Sequence, residues 1–273
     1  MYADFSRIKV YHSAKDLILF HGDCLDVLPV ITEESIDMIF ADPPYKLSNG
    51  GISCSAGKMV SVNKGDWDKS RGLINDFNFT INWLKECRRV LKPEGTICIT
   101  GTMHNIYQVG FALQALDFHI MNEIVWFKPN ASPNLSCRYF THSHETLIWA
   151  KKEKIARHKF NYHEMRNWDS DLLNKKGKQM RSVWTIPLTP LREKIEGKHP
   201  TQKPIELLKR IITAVTDKGD LVLDPFNGSG TTGVAAKMLG RRYSGIEKDE
   251  EYLDLTLRRM NVKEQDVQTK LNL

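Results

Sequence analysis

Seven short apolar runs alternate with amphipathic segments along this chain, and that alternation is the strongest constraint on its fold. The runs are LILFHGD (17–23), SIDMIFAD (35–42), TICITG (96–101), HIMNEIVWFK (119–128), HETLIWAK (144–151), DLVLDPF (220–226) and RRYSGIEKD (241–249). Between them lie helical patterns: CLDVLPVI, FNFTINWLKECRRVL (77–91), HNIYQVGFALQALD, PIELLKRIITAV (204–215), TTGVAAKMLG and EEYLDLTLRRM. Lys92-Pro93-Glu94-Gly95 is expected to stop the second helix, Pro204 to open the fourth and Gly240 to close the fifth. Strands separated by helices predict a mostly parallel sheet covered on both faces, with HETLIWAK antiparallel to HIMNEIVWFK. No internal repeat interrupts the pattern.

The chain has 273 residues, 41% of them hydrophobic, enough for one large core with a smaller insertion. Neither a leader-like start nor a run of eighteen apolar residues occurs, so a soluble cytoplasmic protein with no membrane partner is expected. The five cysteines form no C-x-x-C pair, which argues against a disulfide framework or a cysteine metal site. Charge is unevenly placed. Lys151 to Lys198 carries 13 Lys and Arg against 6 Asp and Glu, a surplus larger than the whole chain's +6. Phe160, Tyr162, Trp168 and Trp184 are interleaved with those cations. The stretch reads either as a solvated insertion or as a nucleic-acid face, since cations displace phosphate counterions and aromatic rings stack on bases.

Residues 224–233, DPFNGSGTTG, suggest a ligand class. A buried strand runs into glycines that let the backbone approach a nucleotide-like group, and a helix follows. A second strand ends at Glu247, 19 residues after Gly228, where a carboxylate can accept both ribose hydroxyls. Hydride transfer from a dinucleotide and methyl transfer from S-adenosylmethionine both fit this loop.

The turn after the second apolar run separates the two. Asp42-Pro43-Pro44-Tyr45 resembles the D-P-P-Y motif of amino-group methyltransferases, and its pairing with D-P-F-x-G-S-G-T-T is specific. An exocyclic amino group is a poor nucleophile while its lone pair is delocalised into the base. The Asp42 carboxylate and the Pro43 carbonyl can each accept one N–H, turning that lone pair toward a sulfonium methyl. Prolines restrict the turn, and Tyr45 offers a ring for a base extruded from the duplex. His199-Pro200-Thr201-Gln202-Lys203-Pro204 is similar to the H-P-T-Q-K-P segment of DNA amino-methyltransferases. The resemblance covers nearly the whole chain. It assigns Asp42, Pro43, Pro44 and Tyr45 to catalysis. It assigns Asp23, Thr201, Lys203, Asp224, Phe226, Gly228, Gly230 and Glu247 to the cofactor, with Asp23 at the adenine amino group, Thr201 and Lys203 at the methionine end and Phe226 as a ring contact.

Motif order matches the β group of these enzymes. That implies a circularly permuted, Rossmann-like S-adenosylmethionine-dependent fold with a seven-stranded, mostly parallel sheet, LILFHGD beside RRYSGIEKD and the cofactor strand beside the catalytic strand. It divides the chain into a catalytic half (1–130), a target-recognition region (131–198) with a sheet strand near 144–151, and a cofactor half (199–273). Asp rather than Ser at position 42 implies adenine N6 over cytosine N4. Residues 44–68 and 133–150 resemble the second adenine methyltransferases of DpnII-type restriction systems, which implies GATC in duplex and also single-stranded DNA, a cognate endonuclease, and a homodimer as in other β-group enzymes. The glycine-rich 48–65 segment is expected to be a surface loop or a lid over the base. Trp67, Arg138 and Arg181 are the candidate DNA contacts. A non-catalytic DNA-binding relative and a dinucleotide oxidoreductase remain the competing readings.

Overall fold

The computed structural model describes residues 8–47, 52–55, 58–61, 65, 68–169 and 171–262, with backbone alone for 52–55 and 58–61. Its main sheet has nine strands, in the order β1-β2-β11-β10-β3-β6-β8-β7-β9. The seven expected strands form its contiguous centre: β2 (Leu17–His21), β11 (Arg242–Glu247), β10 (Leu221–Asp224), β3 (Ile36–Ala41), β6 (Leu91–Gly101), β8 (His144–Lys151) and β7 (His119–Phe127). Two edge strands enlarge the expected seven. β1 (Lys9–Ala14) buries only His12, so it carries no apolar signal, and β9 (Val183–Thr185) is too short to show a period. β4 (Ile52–Ser55) and β5 (Lys58–Ser61) form a separate antiparallel pair.

From β2 to β6 every neighbour pairing is parallel, whereas β8 runs antiparallel to both β6 and β7. β3 shows why this sheet needs two covers. Met38 and Phe40 belong to one core with Leu207, Ile211, Ala235 and Leu253, while Ile39 and Ala41 belong to the other with Val27, Trp83, Leu84 and Val109. Successive side chains of a strand point to opposite faces, so a strand apolar on both is stable only between helices. One cover is α1 (Cys24–Val27), α2 (Leu73–Val90) and α3 (Ile106–Ala115). The other is α5 (Ile205–Val215), α6 (Thr231–Met238) and α7 (Glu250–Arg259), with Met165 of α4 (Tyr162–Arg166) packed beside them.

Two boundaries differ from expectation. α2 starts at Leu73 rather than Phe77, because the Asp76 carboxylate accepts from Ser70 Oγ (2.5 Å) and the Arg71 N–H (3.2 Å) and so secures an earlier first turn. Lys92 to Gly95 lies within β6, which begins directly at the helix end, where Leu91 pairs with Ile36.

The basic stretch is tied into the fold. Arg210 of α5 is fully buried, donates to Asp171 Oδ2 at 2.5 Å, and lies over the rings of Trp168 and Trp184 at 5.6 and 5.1 Å. Asp171 also accepts the Thr185 and Leu173 N–H groups, at 3.0 and 2.8 Å. Lys152 reaches Glu34 and the Leu91 carbonyl, both at 2.8 Å, and Lys159 reaches Asp220. These cations are structural ties, whereas Lys175, Lys178, Arg181 and Arg192 are exposed. Among the described residues no helix is long and apolar enough to cross a membrane. Replacing Asp171 with Leu strands a buried guanidinium and should cost about 3–5 kcal/mol in urea unfolding, whereas Asp171→Leu with Arg210→Met should recover most of that loss. Equal stability of the single and double variants would show that the pair does not anchor this segment.

Candidate active site

Parallel strands bring their carboxyl ends to one edge, and here that edge presents four carboxylates from four neighbouring strands. Asp23 follows β2, Glu247 ends β11, Asp224 ends β10 and Asp42 follows β3. All four line one cleft of about 1000 Å³, together with Pro43, Pro44, Tyr45, Thr201, Lys203, Phe226 and Gly228. Chain positions as far apart as Asp23 and Glu247 thus meet because β2 and β11 are paired, with His21 opposite Glu247.

At one end the loop after β10 turns tightly. Gly228 has φ +49°, and a Cβ there would lie 3.3 Å from the His199 ring. Its N–H donates to Glu247 Oε2 at 2.7 Å, while Glu247 Oε1 accepts the Lys248 and Asp249 N–H groups. Gly230, also expected at the cofactor, follows in the same loop. It does not line the cleft; its φ is +71°, and a Cβ would sit 2.4 Å from Thr256 Cγ2, so it permits the loop to pack on α7. Asp23 caps α1 through the Leu25 N–H (2.9 Å) and pairs with Lys248 at 2.5 Å. Phe226 meets Trp83 edge-on at a centroid distance of 5.2 Å. His199 packs its ring against Tyr252 at 4.4 Å, and burial draws its pKa down to about 4, leaving it neutral near pH 7.

At the other end, Asp42 is held by three donors. Oδ1 accepts from Thr100 Oγ1 (2.6 Å) and the Tyr45 hydroxyl (2.7 Å), and Oδ2 accepts from Lys203 Nζ (2.6 Å). Lys203, expected at the methionine end of the cofactor, lines the same cleft and places its ammonium between Asp42 and Glu145, 4.9 Å from the Tyr45 ring centroid. Burial opposes that charge, but Asp42 and Glu145 outweigh it and hold the pKa above the ordinary lysine value. Burial, then Asp42 and Glu145, pushes the Tyr45 hydroxyl well above its ordinary range, so it stays a donor.

Several residues here escaped sequence reasoning. Thr100, Lys128 and Glu145 carry no local motif and reach the site only through the sheet. Asp68 accepts the N–H groups of Lys46 (2.7 Å) and Leu47 (3.0 Å), pinning the backbone directly after Tyr45, where Lys46 has φ +60°. Its signal was the acidic GDWD at the far end of the glycine-rich loop. Tyr139 and the almost fully exposed Phe140 project from the β7–β8 loop beside Arg138. Arg138 and Arg181 are themselves exposed and outside the cleft, while Trp67 and half of the 48–65 segment lie outside the described residues.

A family model described as DNA methylase matches residues 36–258. The chain belongs to the DNA methylase family. The methylase is 52% identical over 260 residues to the Type II methyltransferase M2.DpnII of Streptococcus pneumoniae, and 51% identical over 261 residues to M2.LlaDCHI of Lactococcus lactis subsp. cremoris; each alignment covers 95% of both chains. A crystal structure of the M1.HpyAVI–SAM complex matches it with a TM-score of 0.65 and 26% identity, over 90% of this chain and 100% of that one.

The cleft fits a cationic nucleoside such as S-adenosylmethionine. Gln202 lines it with a buried Oε1 that has no hydrogen-bond partner among the described residues, a ready acceptor for a ligand N–H or O–H. Burial raises Asp224 to about 7; bonds from Thr232 Oγ1 (2.6 Å) and the Phe226 N–H (2.9 Å) only partly offset this, and Asp42 and Glu247 add repulsion. A positive ligand relieves that repulsion and favours ionised Asp224. Cofactor affinity should therefore rise as pH increases through about 7 and then level off, with proton release on binding. Titration calorimetry in two buffers of different ionisation enthalpy measures this, and identical heats would mean Asp224 is already ionised.

Proposed function

We propose that this DNA methylase transfers a methyl group from S-adenosylmethionine to N6 of an adenine extruded from DNA, with GATC as its target. The observation that carries this reading is the Asp42 carboxylate, fixed by Thr100, Tyr45 and Lys203 at 2.6–2.7 Å in the same cleft as Gly228 and Glu247. Three of its acceptor positions are filled by protein donors, which leaves Oδ2 with room for one more. An adenine amino group would give one N–H to that position and the other to the Pro43 carbonyl. Its lone pair is then turned out of the ring plane, and no covalent enzyme intermediate is required. Bound S-adenosylmethionine supplies the electrophilic methyl. Asp42 would stabilise the positive charge that grows on nitrogen as the N–C bond forms and the methyl–sulfur bond breaks, the neutral thioether leaving with the sulfur electron pair and the surplus amino proton passing to solvent. Glu247, Asp23 and Gln202 would hold the nucleoside end.

Asp at position 42 supports adenine as the base. The Type II relatives support a role in modification beside a cognate endonuclease, and the resemblance of 44–68 and 133–150 to the GATC subgroup supports the target. Exposed Tyr139 and Phe140 on the β7–β8 loop support binding of unpaired as well as duplex DNA, because any base offers a face for stacking.

Nucleoside mass spectrometry on matched duplex and single-stranded oligonucleotides should find N6-methyladenine only where GATC is intact. N4-methylcytosine would overturn the reading of Asp42, and methylation outside GATC would discard the target while keeping the chemistry. Asp42→Ala should lower transfer by about 10²–10³-fold, since it removes a group that stabilises developing charge, with cofactor affinity nearly unchanged. Glu247→Ala should show the reverse, a weaker cofactor dissociation constant and a largely retained rate at saturation.

A further inference from the structure

We propose that Glu145 is a positioning residue for methyl transfer: as the second carboxylate on Lys203, it fixes that ammonium against Asp42 and so sets the acceptor position open to the target amino group. The proposal rests on the reading of Asp42 given above. It stands first on topology. β8 is antiparallel to β6, so its beginning, not its end, lies at the edge where β3 and β6 finish, and Glu145 arrives beside Thr100 and Tyr45. β7, antiparallel to β8 in turn and so running with β6, ends at the same edge and delivers Lys128, whose Nζ lies 2.5 Å from Glu145 Oε1.

The result is a chain of alternating charge, Lys128, Glu145, Lys203, Asp42, whose two middle members are buried and whose two ends are partly so. Lys203 Nζ lies 3.5 Å from Glu145 Oε2 and 2.6 Å from Asp42 Oδ2. The Tyr45 hydroxyl lies within reach of the same two carboxylates, 2.7 Å from Asp42 Oδ1 and 3.0 Å from Glu145 Oε2, and its single proton can serve only one of them at a time. Glu145 therefore touches two of the three groups that hold Asp42, Tyr45 and Lys203, and these together with Asp42 stand between it and the place where the base must sit. A carboxylate this buried has a large desolvation cost, offset here by two ammonium groups and one hydroxyl. Lys203 and Lys128 outweigh burial and keep its pKa below the usual carboxylate range, so it is charged whenever the enzyme works.

Removing that charge has a specific consequence. Lys203 faces Asp42 and Tyr45 from the turn after β3, Glu145 from β8 and neutral His199 on its own segment, with Asp224 of β10 behind Asp42 and Lys128 behind Glu145. Without Glu145 the buried ammonium keeps one adjacent counter-charge, and burial then draws its proton off at lower pH. A neutral amine holds Asp42 Oδ2 less firmly, and the carboxylate can rotate away from the amino group. A carboxylate that only stabilised the strand end would not move the pH dependence of the rate.

The test compares wild type, Glu145→Gln and Glu145→Asp, measuring kcat on a GATC duplex from pH 6 to 10.5, KM for S-adenosylmethionine and the unfolding midpoint. Glu145→Gln should lower kcat about tenfold or more near pH 7.5, change the cofactor KM by less than about twofold, and bring the alkaline limb down by about one pH unit. Glu145→Asp, which keeps the charge but draws it back, should show the wild-type limb and an intermediate kcat. A Gln variant that folds and keeps the wild-type kcat and limb overturns the proposal. Should Glu145→Gln not fold, an Asp variant with the full wild-type kcat overturns it instead. No methyl transfer by wild type on any DNA would remove the underlying reading of function, an outcome distinct from either.

Discussion

A single buried ammonium, that of Lys203, joins the two halves of this active site. It enters from the segment before α5, passes the Tyr45 ring and ends between carboxylates that belong to a parallel and an antiparallel strand. Two carboxylates packed this closely in a water-poor site would repel strongly, and at least one would take up a proton. The lysine removes that conflict, and with it the reason for Asp42 to lose its charge or its orientation. Thr100 and Tyr45 complete the restraint, so the carboxylate can meet an amino group without first reorganising.

The other end of the cleft follows a different logic. There the chain offers backbone N–H groups and glycine turns around Glu247 and Asp224, with no lysine ammonium paired to either carboxylate among the described hydrogen bonds and ion pairs. The negative charge left over suits a cationic ligand, and the repulsion around Asp224 is the electrostatic mark of it. One cleft thus has a neutralised end, where chemistry needs fixed geometry, and an acidic end, where binding needs attraction.

The basic stretch shows how composition can be right in sum and misleading in detail. Lys152, Lys159 and the adjoining Asp171–Arg210 pair bind the segment to the body of the protein, while Lys175, Lys178, Arg181 and Arg192 remain on the surface. Both groups count equally in a net charge. Only the second can release phosphate counterions. The exposed rings of Tyr139 and Phe140 lie outside the charged stretch altogether and were not marked by it.

The chain's own order of residues determined a great deal. Alternating apolar runs required a sheet covered on both faces, because local patterns report secondary structure, and the resemblance to the β group carried by D-P-P-Y and D-P-F-N-G-S-G implied the neighbouring strands on which Asp42 and Asp224 are found. Edge strands β1 and β9 stayed hidden, since an edge needs neither an apolar face nor length. Glu145, Lys128 and Thr100 were equally hidden: each is an ordinary residue at an ordinary strand end, and nothing within several positions along the chain distinguishes it. Their role depends on which strands are neighbours and which way β8 runs, a property of pairing between segments distant in sequence. Local propensity cannot encode that, and only the tertiary structure, by burying opposite charges together, decided it.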